Sequence, residues 1–155
     1  MSNYTDEHWM NMAYQRAQKA MECGEVPVGA VLVKNNQLIG EGYNQPITSH
    51  DPTAHAEVIA LRVAGQAIKN YRLVDTIMYV TLEPCPMCAS ALVHARIAKV
   101  IFATQDERIG ACGSIFDITN NALLNHRVEV ESGMMAKECR ELIQSFFIEK
   151  RKHNE

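Results

Sequence analysis

Two short stretches carry most of the residue types that support metal chemistry, namely His55-Ala56-Glu57 and Cys85-Pro86-Met87-Cys88. Zinc prefers nitrogen and sulfur ligands in a tetrahedron, and a catalytic zinc has three protein ligands and one position open to water. His55, Cys85 and Cys88 supply three ligands of this kind. The residue types and their spacing therefore predict one catalytic zinc site, with one Zn²⁺ per chain.

Both groups of ligands are expected at the starts of helices. The stretch Asp51-Pro52-Thr53 is typical of an N-cap followed by a first helical proline, which would place His55 in the first turns of a helix. Pro86 indicates a second helix start, and Cys85 and Cys88, three residues apart, can lie on one face. The positive ends of the helix dipoles would favour the thiolates that zinc binds.

Glu57 is predicted to have a role other than metal binding. It follows His55 by two residues, about 200° around a helix, which is a poor arrangement for a second ligand to the same ion. A carboxylate beside zinc-bound water can act first as a general base and then as a general acid. Glu57 is therefore the candidate catalytic residue.

Each motif has a simpler interpretation when it is taken alone. A His-x-Glu pair is more often part of a helix surface, and a Cys-x-x-Cys pair can be redox-active or structural. A structural zinc site normally has four Cys or His ligands, and the sequence has no second Cys-x-x-Cys and no His-x3-His to complete one. A redox pair would leave His55 and Glu57 without a role. The combination favours the catalytic site.

The composition indicates one globular domain, residues 1–155. The chain is 47% hydrophobic and 21% charged, which is usual for a globular protein with a single core. No apolar run of about 18 residues predicts a membrane span, and Met1 to Glu7 lack the features of a secretion signal. We expect a cytoplasmic protein without a membrane partner. The odd number of cysteines fits a reducing compartment, and Cys23, Cys112 and Cys139 are expected to be buried thiols.

Hydrophobic periodicity predicts an α/β fold. Helices are expected between Thr5 and Gly24 and over residues 52–64, 86–95 and 134–151; strands are expected over residues 26–33, 38–43, 76–81, 99–103 and 127–131. The strand, helix and strand between residues 76 and 103 would form a right-handed parallel unit, with the zinc beyond the carboxyl ends of its strands. Gly29 indicates a close backbone approach, by a ligand or by packing. We predict a three-layer α/β/α domain with a mixed central sheet of about five strands.

The two metal motifs resemble those of the cytidine deaminase superfamily of zinc-dependent deaminases. Four stretches are similar to the bacterial branch that acts on tRNA: Gly42 to Pro46, Asp51 to Glu57, Gly110 to Ser114 and Asn125 to Glu129. The resemblance covers nearly the whole chain. It implies the cytidine-deaminase-like version of the fold and a homodimer. It also implies zinc-dependent, hydrolytic deamination of adenosine to inosine at the wobble position of a tRNA anticodon stem-loop.

The resemblance further implies substrate contacts from Asn44, Ala56 and Asp106. The Asn44 amide would hold the base, and Asp106 would accept a hydrogen bond from a ribose hydroxyl, the group that distinguishes RNA from DNA. Local sequence alone explains Asn44 equally well as a turn residue at the end of a strand. It explains Asp106 as an exposed residue of a loop.

Two other functions remain open. Deaminases of free guanine or cytosine share the Asp51 to Glu57 and Pro84 to Cys88 stretches, and a non-catalytic zinc-binding module would explain the ligands but not Glu57. The net charge of -3 argues against the large basic surface that nucleic-acid-binding proteins usually carry. Contact with RNA would therefore depend on local surfaces or on a partner subunit.

Overall fold

The computed structural model describes residues 3–153, so Met1 and Ser2 of the segment tested for a secretion signal, together with residues 154 and 155, lie outside it. Within this range four helices and five strands follow one another along the chain. The helices are α1 (Asp6–Glu22), α2 (Ala56–Ile68), α3 (Pro86–His94) and α4 (Ala136–His153), and the strands are β1 (Gly29–Lys34), β2 (Gln37–Tyr43), β3 (Thr76–Leu82), β4 (Lys99–Thr104) and β5 (Glu129–Ser132). None of the helices in residues 3–153 is both long enough and apolar enough to cross a membrane.

The five strands form one mixed sheet in the order β2-β1-β3-β4-β5. β1 pairs antiparallel with both β2 and β3, whereas β4 is parallel to both β3 and β5. α3 provides the predicted crossover between β3 and β4. The carboxyl ends of β3 and β4 therefore meet at one edge of the sheet, and the chain leaving β3 at this edge leads directly to Cys85.

The two faces of the sheet pack against different helices. Leu32 and Val80 belong to a buried cluster that also contains residues of α2 and α3. Val31 and Tyr79, their neighbours along the strands, belong to a second cluster with residues of α1 and with Cys139 of α4. Because successive strand residues point to opposite faces, each strand supplies both clusters. The predicted α/β/α layers and five-stranded mixed sheet are confirmed.

Gly29 in β1 allows α1 to lie directly against the sheet. A Cβ atom at this position would overlap the carbonyl oxygen of Ala13 and the amide nitrogen of Ala17, both in α1. The close backbone approach that the sequence indicated is therefore the packing of a helix and not the approach of a ligand.

We expect Gly29→Ala to lower the free energy of unfolding by about 1–3 kcal/mol, because the added methyl group must push α1 away from β1. Urea unfolding measures this difference. Gly65→Ala is the matched control, since a Cβ there meets only the Asn70 carbonyl oxygen at the ordinary contact distance of 3.5 Å. Gly65 lies inside α2, so alanine should be neutral or stabilising by about 1 kcal/mol. Equal stability of the two variants would contradict the packing argument.

The helix expected over residues 52–64 is α2, which begins and ends four residues later. Asp51 was expected to be its N-cap. Instead, the Asp51 carboxylate accepts hydrogen bonds from the N–H and the hydroxyl of Thr53, at 2.8 and 2.7 Å, and closes a turn before the helix. The helix also continues past Gly65 and ends before Lys69, whose φ of 58° is left-handed. The predicted Asp51 cap and Gly65 stop are both wrong. The other elements begin and end within about three residues of the prediction.

The cysteines outside the metal motif do not share one environment. Cys112 and Cys139 are buried as expected, whereas Cys23 is exposed. Cys23 is the C-cap of α1, so it lies beyond the inward-facing stripe of that helix and close to the turn at Gly24. The prediction of a buried Cys23 is wrong for this reason.

Candidate metal centre and active site

The N-termini of two helices converge on the three predicted zinc ligands. His55 is the N-cap of α2, and Cys85 is the N-cap of α3. Cys88 follows in the first turn of α3. His55 Nδ1 lies 3.6 Å from Cys85 Sγ and 3.5 Å from Cys88 Sγ. His55 therefore lies just before the first turn of its helix, whereas the sequence predicted that it lies within the first turns.

These separations match one tetrahedral zinc ion. Zn–S bonds of about 2.3 Å and Zn–N bonds of about 2.0 Å at a tetrahedral angle place sulfur and nitrogen about 3.5 Å apart. The three ligand atoms all lie within 4.8 Å of one another, and no other set of three His, Cys, Asp or Glu side chains in residues 3–153 meets this condition. His55, Cys85 and Cys88 are thus placed to hold one metal ion.

The two thiols form an electrostatic pair that suits a cation. A hydrogen bond from Cys88, together with the nearby His55, lowers the pKa of Cys85 to about 4. The pKa of Cys88 moves in the opposite direction, because Cys88 donates to Cys85 and is itself buried. Both sulfur atoms lie at the positive end of a helix dipole, which favours the thiolate form that a zinc ion would bind.

Glu57 lies buried in the first turn of α2, two residues from His55. The residue is only 4% exposed, and this burial, reinforced by the negative charge of Cys85, raises the pKa of Glu57 to about 7. A carboxyl group with this pKa can both accept and release a proton at neutral pH. The predicted acid–base role of Glu57 stays a prediction.

Asn44 and Ala56, both predicted to contact substrate, contact each other. The Asn44 side-chain oxygen accepts a hydrogen bond from the Ala56 N–H at 2.9 Å. This bond satisfies one of the N–H groups that the start of a helix leaves free. His55, although it is the N-cap, makes no side-chain capping bond. Asn44 therefore caps α2 in its place, and the imidazole of His55 is left for the metal.

Asp106 lies in the loop after β4, and its carboxylate organises that loop. Its Oδ1 accepts hydrogen bonds from the N–H groups of Arg108 and Ile109, at 3.0 and 3.3 Å. Its own N–H donates to Glu83 Oε1 at 3.1 Å. The predicted ribose contact of Asp106 stays a prediction, and the loop that carries it is tied to Glu83.

Two buried glutamates, Glu25 and Glu83, were not singled out in the sequence. They are 1% and 2% exposed, respectively. Glu25 accepts hydrogen bonds from the N–H groups of Ile47 and Thr48, at 3.3 and 2.7 Å, in the loop that follows Asn44. The available signal was a single acid next to an apolar stretch and one or two residues before a proline, as in Glu25-Val26-Pro27 and Glu83-Pro84.

Comparison with known proteins identifies the family. Residues 3–104 match the family model described as the cytidine and deoxycytidylate deaminase zinc-binding region. This range contains His55, Glu57, Cys85 and Cys88. The chain belongs to this deaminase family. The predicted zinc cofactor is confirmed by this match together with the geometry of the three ligands.

Comparison with individual proteins shows which deaminases this chain is similar to. The chain is 48% identical to the tRNA-specific adenosine deaminase of Haemophilus influenzae, over 94% of this chain and 85% of that protein. A solved structure from studies of A-to-I editing by tRNA:A34 deaminases is 38% identical with a TM-score of 0.85, covering 87% of this chain and 98% of that one. The guanine deaminase from Nitrosomonas europaea has a TM-score of 0.77 at 19% identity, over 92% and 84% of the two chains. That last likeness is one of fold alone, and the predicted cytidine-deaminase-like fold is confirmed.

Proposed function

We propose that this deaminase converts adenosine to inosine at the wobble position of a tRNA anticodon. The observation that carries the proposal is the group of His55, Cys85 and Cys88 with the buried Glu57 beside it. This group stands in a chain that is 48% identical, over 94% of its length, to a tRNA-specific adenosine deaminase. The free-guanine alternative has only a likeness of fold at 19% identity. The non-catalytic alternative leaves the burial of Glu57 without a purpose.

The reaction replaces the amino group at C6 of adenine with an oxygen atom from water. A C–O bond forms, the C–N bond breaks, and ammonia leaves. Zinc held by His55, Cys85 and Cys88 would supply a water molecule whose pKa is lowered to about 7. Glu57 would take one proton from this water and pass it to the ring nitrogen N1. The same carboxylate would then take the second proton, from the hydroxyl now bonded to C6, and deliver it to the departing amino group, which is general base followed by general acid catalysis.

Asn44 would hold the base through its NH2 group. Its amide oxygen already accepts the Ala56 N–H at 2.9 Å, so the NH2 group is the part available to donate to an acceptor on the purine. The same hydrogen bond joins the end of β2 to the start of α2, which fixes the position of Asn44 relative to His55. Ala56 would take part through its backbone, and Asp106 would accept a hydrogen bond from a ribose hydroxyl.

A groove between the loop after β4 and helix α4 is the proposed surface for the RNA. Its volume is about 1090 Å³, and its lining includes Asp106 with Arg108, Arg140 and Arg151. Phe147 also lines it and is 43% exposed. Arginines can contact phosphates, and an exposed aromatic ring can stack on an unpaired base. In a chain of net charge -3, these few cations imply few phosphate contacts and a shallow dependence of binding on salt.

We also propose that residues 1–155 act as one domain, in a cytoplasmic homodimer. The support for a dimer is the family resemblance together with exposed apolar side chains in one segment, Ile115, Phe116 and Leu123 at 51%, 47% and 91% exposure. Size-exclusion chromatography with light scattering should give twice the mass of one chain. A monomer at micromolar concentration would contradict the dimer and would leave the proposed chemistry untouched.

A comparison of three substrates tests the proposed function. The protein is given an anticodon stem-loop with a wobble adenosine, the same stem-loop with guanosine at that position, and free guanine. We measure inosine, xanthosine and xanthine, the deamination products of the three substrates in that order, and expect only inosine to form. The unpaired wobble adenosine can enter a closed pocket at a cost of a few kcal/mol. Rapid formation of xanthine from free guanine, with an unchanged stem-loop, would overturn the tRNA assignment and favour a nucleobase deaminase.

A further inference from the structure

Glu83 gathers four hydrogen bonds from a single loop. Its two carboxylate oxygens accept the N–H groups of Asp106 at 3.1 Å, Cys112 at 3.0 Å and Ser114 at 3.1 Å, and also the Ser114 hydroxyl. All four partners are donors, and Glu83 is only 2% exposed. The carboxylate therefore acts as a fixed internal partner for the segment 106–114, which we call the 106–114 loop.

The same glutamate belongs to the segment that presents Cys85. Glu83 N–H donates to the carbonyl oxygen of Thr104 at 2.9 Å, at the end of β4, and Ala111 N–H donates to the carbonyl oxygen of Pro84 at 2.8 Å. Cys85 follows Pro84 directly and caps α3. Glu83 thus joins the 106–114 loop to the chain that carries one of the zinc ligands.

Gly110 shows that the carboxylate and the loop are in close contact. A Cβ at Gly110 would overlap the Glu83 carboxylate and would approach the carbonyl oxygen of Asp106 to 2.6 Å. The Gly110 to Ser114 stretch, which the zinc chemistry does not use, therefore forms a cradle for Glu83. Gly110 leaves room for the carboxylate, and Cys112 and Ser114 supply the hydrogen-bond donors.

We infer that Glu83 is a positioning residue that fixes the 106–114 loop, and Asp106 with it, relative to the zinc ligands. This inference rests on the proposed function, in which Asp106 contacts the RNA. The loop contains neither a metal ligand nor Glu57, so loss of its position should weaken the binding of substrate more than the chemical step.

Glu83→Gln tests the inference with little change of shape. An amide nitrogen in place of one oxygen would face donors, so at least one hydrogen bond becomes a contact between two donors. We expect KM for the stem-loop to rise by about 10-fold, the scale of one lost hydrogen bond between Asp106 and the substrate. Turnover at saturation and zinc content should change little. Amide hydrogen exchange measured by NMR should lose protection at Asp106, Cys112 and Ser114. Gly110→Ala should reproduce this pattern, because it displaces the same carboxylate.

Thr76→Val is the control for general destabilisation. Thr76 is buried at the opposite end of β3, where its hydroxyl donates to the Leu73 carbonyl oxygen. The Thr76→Val variant should have a lower free energy of unfolding in urea, without a change in KM or in the hydrogen-exchange protection of the 106–114 loop. The inference is overturned if Glu83→Gln and Thr76→Val raise KM equally, if Glu83→Gln loses zinc, or if the three amides stay protected. An inactive wild-type protein would reject the proposed function, whereas the exchange data would still report on the loop.

Discussion

Glu57→Ala is expected to lower turnover of the stem-loop by about 10⁴-fold while the protein keeps its fold and its zinc. The reason is that the three residues placed to hold a metal ion, His55, Cys85 and Cys88, do not include Glu57. In the proposed mechanism, the buried carboxyl group serves only to move protons between water, base and leaving group. Single-turnover kinetics, elemental analysis for zinc and urea unfolding measure the three properties on the same preparation.

Glu138→Ala is the matched control for that variant. Glu138 also lies in the first turn of a helix, α4, but it is exposed to solvent. The Glu138→Ala variant should leave turnover unchanged. The comparison therefore distinguishes the loss of a buried proton carrier from the loss of an acidic residue near the start of a helix. If Glu57→Ala loses zinc in proportion to activity, Glu57 is a ligand or a structural residue, and the acid–base assignment is wrong.

Cys88→Ala is expected to reduce bound zinc from about one per chain to near zero and to abolish activity, because two remaining ligands hold the ion much less tightly than three. Cys85→Ala should behave in the same way. Elemental analysis and the inosine assay give the two readouts. Zinc binding should also raise the thermal stability of the wild-type protein and have little effect on the variants.

Cys139→Ala provides the comparison for Cys88→Ala. Cys139 is buried between α4 and the sheet and belongs to a hydrophobic cluster. Its replacement should cost some stability through lost packing but leave zinc content and turnover intact. Full activity in metal-free wild-type protein would contradict the catalytic role of zinc.

The ligands and the order of elements could be predicted because their signals are local. Cys85 and Cys88 lie three residues apart, Pro86 marks the start of α3, and the apolar runs of β3 and β4 flank that helix. These features depend on neighbours in sequence, and the structure places them close to their predicted positions.

The start of α2 could not be predicted, because a distant residue determines it. Asp51 and Pro52 form a local pattern that favours a helix start, but Asp51 closes a turn with Thr53. The N–H of Ala56 is satisfied instead by Asn44, which comes from the end of β2. The helix therefore begins where a partner from another element is available.

Glu83 escaped prediction for a similar reason. Its donors lie 23 to 31 residues further along the chain, in the 106–114 loop. In sequence, that loop is rich in glycine and charged residues, and nothing indicates that its amides converge on one carboxylate. Gly29 in the sheet is a similar case. The sequence left open whether a ligand or a packed element approaches this glycine, and only the position of α1 in the structure shows that it is a helix.

Hydrolytic deamination at the wobble adenosine is tested most directly by mass spectrometry of the reacted stem-loop in water enriched in ¹⁸O. The proposed chemistry predicts that the wobble nucleoside becomes inosine carrying one solvent oxygen, with one ammonia released, in the zinc-loaded protein but not in Glu57→Ala. Adenosine that remains unchanged at the wobble position, or inosine without the label, would contradict zinc-dependent hydrolysis of tRNA adenosine by this chain.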